Sequence, residues 1–415
     1  PPVVPLYDEK DVDKALKLLR PTDWDTETAA ADGVTFSLHD AGHILGSSSI
    51  AFKLSEGDRA TRLIFRGDLG QQSPAVDRAP SVIREADYVL IESTYGDRLH
   101  KDDAATREEF RSVILTALKD RGKVLIPSFV VDRAQRLLFE LSLMQIEGLL
   151  PEIPIFFDSP MGVRATELYR MYGDTLSGEV RRHAAAGVDL FSPKGFRSVS
   201  TPEESQKIND VPFGIVIAGS GMCTGGRIVH HLKHGAWNPK NHIVFVGYQA
   251  YGTLGRRIVD GETELRIAGE DVVVKARVHT IGGFSAHGDR DDLLAWAGNY
   301  TTNPLFFVTH GEPKSSQALS AALRERGMRG IVPALGQEFS IEPGAFPATM
   351  EAEAKPAAAA RTPQAEIPGV LDDIERLLAR LRRDEGALAD SEESKRLLLS
   401  ARTALESALR GKTAP

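Results

Sequence analysis

Four short runs of β-branched and aromatic residues in this chain each lead, within a few positions, to a histidine or an acid flanked by glycine. Val34-Thr35-Phe36-Ser37-Leu38 precedes Asp40-Ala41-Gly42-His43-Ile44-Leu45-Gly46-Ser47, and Arg62-Leu63-Ile64-Phe65 precedes Gly67-Asp68. Tyr88-Val89-Leu90-Ile91 precedes Glu92-Ser93-Thr94-Tyr95-Gly96, and Leu305-Phe306-Phe307-Val308 precedes Thr309-His310-Gly311-Glu312. Runs of this length and composition read as strands. Stacked in one sheet, they would carry imidazoles and carboxylates to a common rim, where such groups can converge on a metal ion. Glycines beside each of them permit tight turns and close backbone approach. A fifth segment, Phe284-Ser285-Ala286-His287-Gly288-Asp289, adds another histidine beside a glycine.

At 415 residues the chain is too long for one ordinary domain and suggests two or three, each able to bury a core. A net charge of −8 argues against a nucleic-acid binder that works through bulk positive charge, so any RNA contact must use a local groove. The single cysteine, Cys223, rules out an internal disulfide framework and a zinc site built on thiolates, and it fits a reducing compartment. No secretory leader or membrane-spanning run is visible, and the chain reads as cytoplasmic, with no membrane partner.

Residues 1–98 combine a helix around Asp11 to Leu19 with the strand-rich motif region. From about residue 100 the pattern alternates. The helix Asp103 to Lys119 leads into the strand Lys123 to Pro127, then come the helix Arg133 to Leu141, the strands Ile153 to Phe157 and Gly214 to Ala218, and the helices Ala165 to Met171 and Arg227 to His234. Alternation of this kind predicts a parallel α/β sheet. Because residues 99–277 lie between two sets of candidate site residues, they read as a domain inserted into the first, which resumes over 278–342. Residues 343–369 are rich in alanine and proline and read as a linker, and 370–412 as a helical tail with two apolar faces.

The five motifs, in their order, resemble those of the β-CASP branch of the metallo-β-lactamase superfamily, the RNA-processing nucleases. The resemblance covers roughly residues 5 to 342. It implies an α/β fold: a metallo-β-lactamase αββα sandwich carrying an inserted parallel α/β domain, the β-CASP domain, followed by the C-terminal helical tail. Pro127-Ser128-Phe129, Phe157-Asp158-Ser159-Pro160-Met161-Gly162 and Val246-Gly247-Tyr248-Gln249 resemble markers of that insert. By the same resemblance His43, Asp68 and His310 are metal ligands, with Asp68 bridging two zinc ions, and Glu92 orients His287 beside the scissile phosphate. The catalytic set is then Asp68, Glu92 and His287. Paired metals that share a carboxylate suit hydrolysis, because they lower the pKa of a water and balance charge developing on phosphate. A carboxylate bonded to an imidazole holds the ring and raises its basicity. The implied partner is single-stranded RNA, and a homodimer fits the same family picture.

Ala218 to Arg227 forms a glycine-rich strand-to-helix turn, which directs backbone amides at an anion. Ser220 and Gly221, with His287, are therefore candidate contacts to RNA phosphate. His230, His231, Lys233 and His234 on the next helix would either touch phosphate or form a solvated face. The family's His-x-His-x-Asp-His motif does not occur in residues 1–42. His43, Asp68 and His310 alone would not complete two four-coordinate ions, and the expectation is that the chain belongs to a longer protein. The alternative is a non-catalytic RNA-binding or scaffold subunit. A small-molecule hydrolase is a third reading, disfavoured by an insert that would narrow access to the metal cleft.

Overall fold

The first strands, β1 (Thr28–Ala31), β2 (Val34–Asp40), β3 (Ser48–Glu56) and β4 (Arg59–Arg66), form an antiparallel ladder. β5 (Tyr88–Ile91) joins β4 in parallel. The chain then builds a second sheet from β6 (Lys123–Pro127), β7 (Ile155–Asp158), β8 (Phe196–Val199), β9 (Gly214–Ala218) and β10 (His242–Phe245). A hairpin of β11 (Glu264–Ile267) and β12 (Glu270–Val273) intervenes before β13 (Arg277–Thr280). That six-stranded sheet is parallel throughout, in the order β13-β10-β6-β9-β7-β8. The chain returns to the first sheet with β14 (Leu305–Val308) beside β5 and β15 (Arg329–Ile331) outside it, completing seven strands in the order β1-β2-β3-β4-β5-β14-β15.

This computed structural model describes residues 6–341, so the expected linker and helical tail lie outside the described residues. Residues 6–333 and Ile341 belong to one compact unit, and 334–340 belong to a second. Among the described residues no helix is long and apolar enough to cross a membrane.

The second sheet is covered on both faces, which is why its strands are continuous apolar runs rather than alternating ones. Val124, Ile126, Ile155, Phe157, Ile215 and Ile217 point into one core with the helix Arg133–Ile146. Leu125, Phe156, Val216 and Ala218 point into the other, against the helix Arg227–Gly235. In the first sheet Ile64, Val89, Ile91, Phe306 and Val308 pack on Leu293, Leu294 and Trp296 of the helix Arg290–Ala297 and on Leu319 and Leu323 of the helix Pro313–Glu325.

The strand β13 pairs with β10 in the second sheet, so the return to the first sheet, expected at residue 278, comes after Thr280. Its four residues are mostly exposed and carry no apolar pattern that would assign them to either sheet. Only the register with β10 decides it.

Candidate metal centre and active site

Two antiparallel steps separate β2 from β4, so β2 runs in the same direction as β4, β5 and β14. All four strands therefore end on one rim. His43 lies in the turn after β2, Asp68 just past β4, Glu92 at the end of β5 and His310 just past β14. His287 arrives by another route. It follows β13 of the second sheet and is laid against the first by an antiparallel bridge to Gly70 and by a 2.6 Å bond from the Gly288 amide to the Leu69 carbonyl.

Glycine is required where these motifs meet backbone to backbone. A Cβ on Gly70 would stand 1.6 Å from the Gly42 carbonyl oxygen, and one on Gly311 would stand 2.4 Å from the Ser93 hydroxyl. Neither gap admits a side chain, so the His43 turn packs directly on the Asp68 segment and the His310 turn on the Glu92 segment. His310 itself has φ +48, a left-handed conformation unusual for a residue other than glycine.

Side chains of the turn after β2 brace much of its backbone. Ser47 Oγ accepts from the amides of His43 and Ile44 at 3.2 Å, and Asp40 accepts from Gly42 at 2.8 Å. His43 Nε2 lies 3.6 Å from one Asp68 oxygen, and His310 Nδ1 lies 3.2 Å from the other. Ligand atoms of His43, Asp68 and His287 fall within 4.8 Å of one another, and so do those of Asp68, Glu92 and His310, so Asp68 belongs to both groups.

Glu92 is almost fully buried, and donors surround its carboxylate. It accepts from the Leu69 amide at 2.5 Å, the Thr94 amide at 3.3 Å and His287 Nδ1 at 3.1 and 3.2 Å. Burial raises its pKa, but the hydrogen bond and charge of His287, with the Thr94 and Leu69 bonds, outweigh that and hold it below the usual carboxylate range. The partner shifts consistently. Burial opposes the His287 imidazolium, yet the Glu92 hydrogen bond and charge, with Asp68 behind them, raise its pKa above that of an ordinary histidine. Because Nδ1 faces a carboxylate, it carries the proton in either charge state, which fixes the tautomer.

His43 is moved the other way, first by burial and then by the neighbouring His287, whose ring centroid is 4.4 Å away. A neutral imidazole is the form that ligates a metal. Its Nε2 is the ring nitrogen that faces Asp68, and its Nδ1 is buried without a hydrogen-bond partner among the described residues. Imidazole nitrogens and carboxylate oxygens are the donor set zinc takes, and by this test the residues present fit zinc.

Ser220 and Gly221 lie in the turn between β9 and the helix Arg227–Gly235. The Ser220 hydroxyl closes its own loop by bonding the Thr224 amide, and the Gly221 carbonyl accepts from Gln249 at 2.9 Å. Neither is part of the two ligand groups. On the following helix His231 is buried against Asp158 at 2.7 Å, and Lys233 pairs with Glu270 at 2.6 Å, so neither is a free phosphate contact; His230 and His234 are exposed. His39, four residues before His43, bonds Asp25 at 2.6 Å.

Other groups near the site had no prominence in the sequence. His100 Nε2 bonds the His287 carbonyl at 2.9 Å, and its ring meets Tyr95, whose ring centroid is 6.0 Å from that of His287. Tyr95 and His100 open onto a groove of about 290 Å³ between the two sheets' loops, lined also by Arg133, Tyr248 and Arg256. Asp289, the acid of the His287 motif, caps the helix Arg290–Ala297 and accepts from the His100 amide at 2.9 Å.

A family model described as the Beta-Casp domain matches residues 134–258, and one described as the Zn-dependent metallo-hydrolase RNA specificity domain matches 271–333. The chain is 41% identical to a Thermus thermophilus protein named Ribonuclease TTHA0252 over 235 residues, 56% of this chain and 53% of that protein. It is 36% identical over 334 residues to Transcription termination factor FttA of Thermococcus kodakarensis, 78% of this chain and 51% of that protein. It is also 36% identical over 316 residues to the FttA of Methanocaldococcus jannaschii, 74% of this chain and 49% of that protein. The chain thus spans about half the length of the curated relatives it matches. The first match lies within the residues that build the second sheet, the second takes in His287, His310 and β14, and the chain belongs to the β-CASP branch of the metallo-β-lactamase superfamily.

Proposed function

We propose that this protein is a zinc-dependent ribonuclease that hydrolyses phosphodiester bonds of single-stranded RNA at the rim formed by β2, β4, β5 and β14. The observation that carries this reading is the pairing of a buried, donor-saturated Glu92 with His287, set beside an Asp68 that both ligand groups share. His43, Asp68 and His310 would hold metal, Asp68 between two ions. Bound zinc would supply charge stabilisation to the phosphate and lower the pKa of an attacking water.

The chain's own residues do the rest. Glu92 fixes the Nδ1 proton of His287 and leaves Nε2 to donate to a phosphate oxygen or the leaving group. Against its burial, the Glu92 hydrogen bond and charge raise the pKa of His287 and so favour the imidazolium, the form with an Nε2 proton to give. Gly70 and Gly311 hold the motif backbones in contact, so the acid and the metal donors keep their spacing. The groove from Tyr95 to Tyr248 gives a strand a path away from His287. Its two tyrosines offer stacking faces for unpaired bases, and Arg256, paired with Asp260 at 2.6 Å, lines the same groove. In this reading Ser220 and Gly221 form an outer phosphate contact, supported by their glycine-rich turn. The single cysteine supports a reducing, cytoplasmic setting.

Hydrolysis of a labelled single-stranded RNA by the full-length protein tests this. Chelation is expected to remove the activity and added zinc to restore it, with a fully paired duplex of the same sequence cut poorly. Cleavage that persists at full rate after metal has been stripped would refute the assignment.

A further inference from the structure

One amide of the His43 turn is not satisfied within it. The Leu45 N–H donates to the hydroxyl of Tyr169 at 3.4 Å, a contact across 124 positions of sequence. Tyr169 lies on the helix Pro160–Met171 of the inserted domain, is 1% exposed, and packs edge-on against Phe191 at 5.7 Å. Its hydroxyl donates in turn to Asp132 Oδ1 at 3.4 Å.

Asp132 is buried at the start of the helix Arg133–Ile146, with φ +65 and ψ −65. That conformation is unfavourable for a non-glycine residue and persists only where surroundings over-determine it. Here they do. Both Asp132 oxygens accept from Arg136 Nε at 3.0 and 2.9 Å, and Arg136 Nη2 reaches Asp77 at 2.6 Å. Asp77 comes from the segment that follows Asp68, and the same segment is gripped again where Ser177 donates its amide to Val76 and its hydroxyl to the Ala75 carbonyl. Leu45 and Ala75 pack side by side on one apolar cluster with Val76, Tyr169 and Phe191.

We infer that Tyr169, Asp132 and Arg136 of the inserted domain are positioning residues for the metal centre, setting the His43 turn through the Leu45 amide and the segment after Asp68 through Asp77. The inference rests on the reading of His43 as a metal ligand. Tyr169 meets the His43 turn at its backbone, so losing the hydroxyl shifts the ligand without removing it. Outer partners that orient ligands typically matter by 10- to 100-fold in metal affinity or activity.

The test is Tyr169→Phe in the full-length protein, which keeps the ring and removes only the hydroxyl. Zinc affinity is measured by competition with a chromophoric chelator, the Co(II)-substituted absorption spectrum is recorded, and kcat and KM for RNA and the thermal midpoint are determined. Expected are about 10-fold weaker zinc binding, an altered Co(II) spectrum and a lower kcat at unchanged KM. A lowered midpoint with unchanged zinc affinity, spectrum and kcat would overturn the inference, since the hydroxyl would then serve packing alone. If Tyr169→Phe does not fold, Asp132→Asn, which keeps the shape and the acceptor but not the charge, must show the same changes to a lesser degree; unchanged zinc affinity there overturns the inference equally. His43→Ala run in parallel separates the two levels. Zinc lost in His43→Ala but retained in Tyr169→Phe defeats only the positioning role, whereas zinc retained in both defeats the ligand reading and the inference with it.

Discussion

Replacing His287 by alanine is expected to lower kcat for RNA hydrolysis by roughly 10²- to 10⁴-fold, the range for loss of a positioned general acid, with KM little changed. Glu92 sits at the end of β5 with its carboxylate bonded to the Leu69 and Thr94 amides, so it cannot follow His287 if the ring moves; the ring is held to it. The segment's place in the fold depends on backbone contacts, the bridge to Gly70 and the Gly288 to Leu69 bond, which alanine preserves. The variant should therefore fold and retain zinc while losing turnover. Single-turnover cleavage at saturating protein separates the chemical step from product release. A rate within about threefold of the parent would mean that the ring takes no part in proton transfer.

Arg136→Met is expected to cost about 3–5 kcal/mol of folding stability, the penalty for removing one member of a buried ion cluster. Arg136 Nε holds Asp132 and Nη2 holds Asp77, and the side chains of all three are at most 6% exposed. The two acids respond differently. Burial and the charge of Asp132 push the Asp77 carboxyl well above its ordinary range, while Arg136 overcomes burial to keep Asp132 below its own. One guanidinium thus faces two acids whose shifts run in opposite directions. Without Arg136, the Asp132 charge has no cation of comparable proximity and must be neutralised or exposed. Urea unfolding at neutral pH reads the loss. A change under about 1 kcal/mol would show that the cluster relaxes onto water or onto Arg133. The triple variant with Asp77→Asn and Asp132→Asn should recover much of the stability, because all the buried charges leave together.

The strands that carry the site were legible because each is a short apolar run closed by a motif, and β5, β6, β9 and β14 fall on the expected residues. So was the convergence of His43, Asp68, Glu92 and His310, since strands that share a direction in one sheet must end on one rim. The helix Pro160–Met171 begins five residues before the expected Ala165. Ser159 caps it and Pro160 opens it, and Gly162, noted only as a marker, is the residue that lets the helix lie on the Phe157 ring.

What stayed hidden depends on pairing at long range. Asp158, Arg227 and His231 look like a marker acid and a solvated basic helix, yet they form one buried cluster. Nothing local to Asp77, Asp132 or Tyr169 relates them to His43, because their connection runs through side chains 37 to 124 positions apart. The edge strand β13 straddles the expected boundary between 277 and 278 for a similar reason: its partner, β10, is fixed by the three-dimensional register alone.

The central claim is that the rim is a metal centre organised around a shared Asp68, and zinc content tests it most directly. Elemental analysis of the full-length protein after exhaustive dialysis should find about two zinc ions per chain, and about one or fewer in Asp68→Asn, where the shared carboxylate is gone. No zinc in the parent protein, or the same content in parent and variant, would contradict the account.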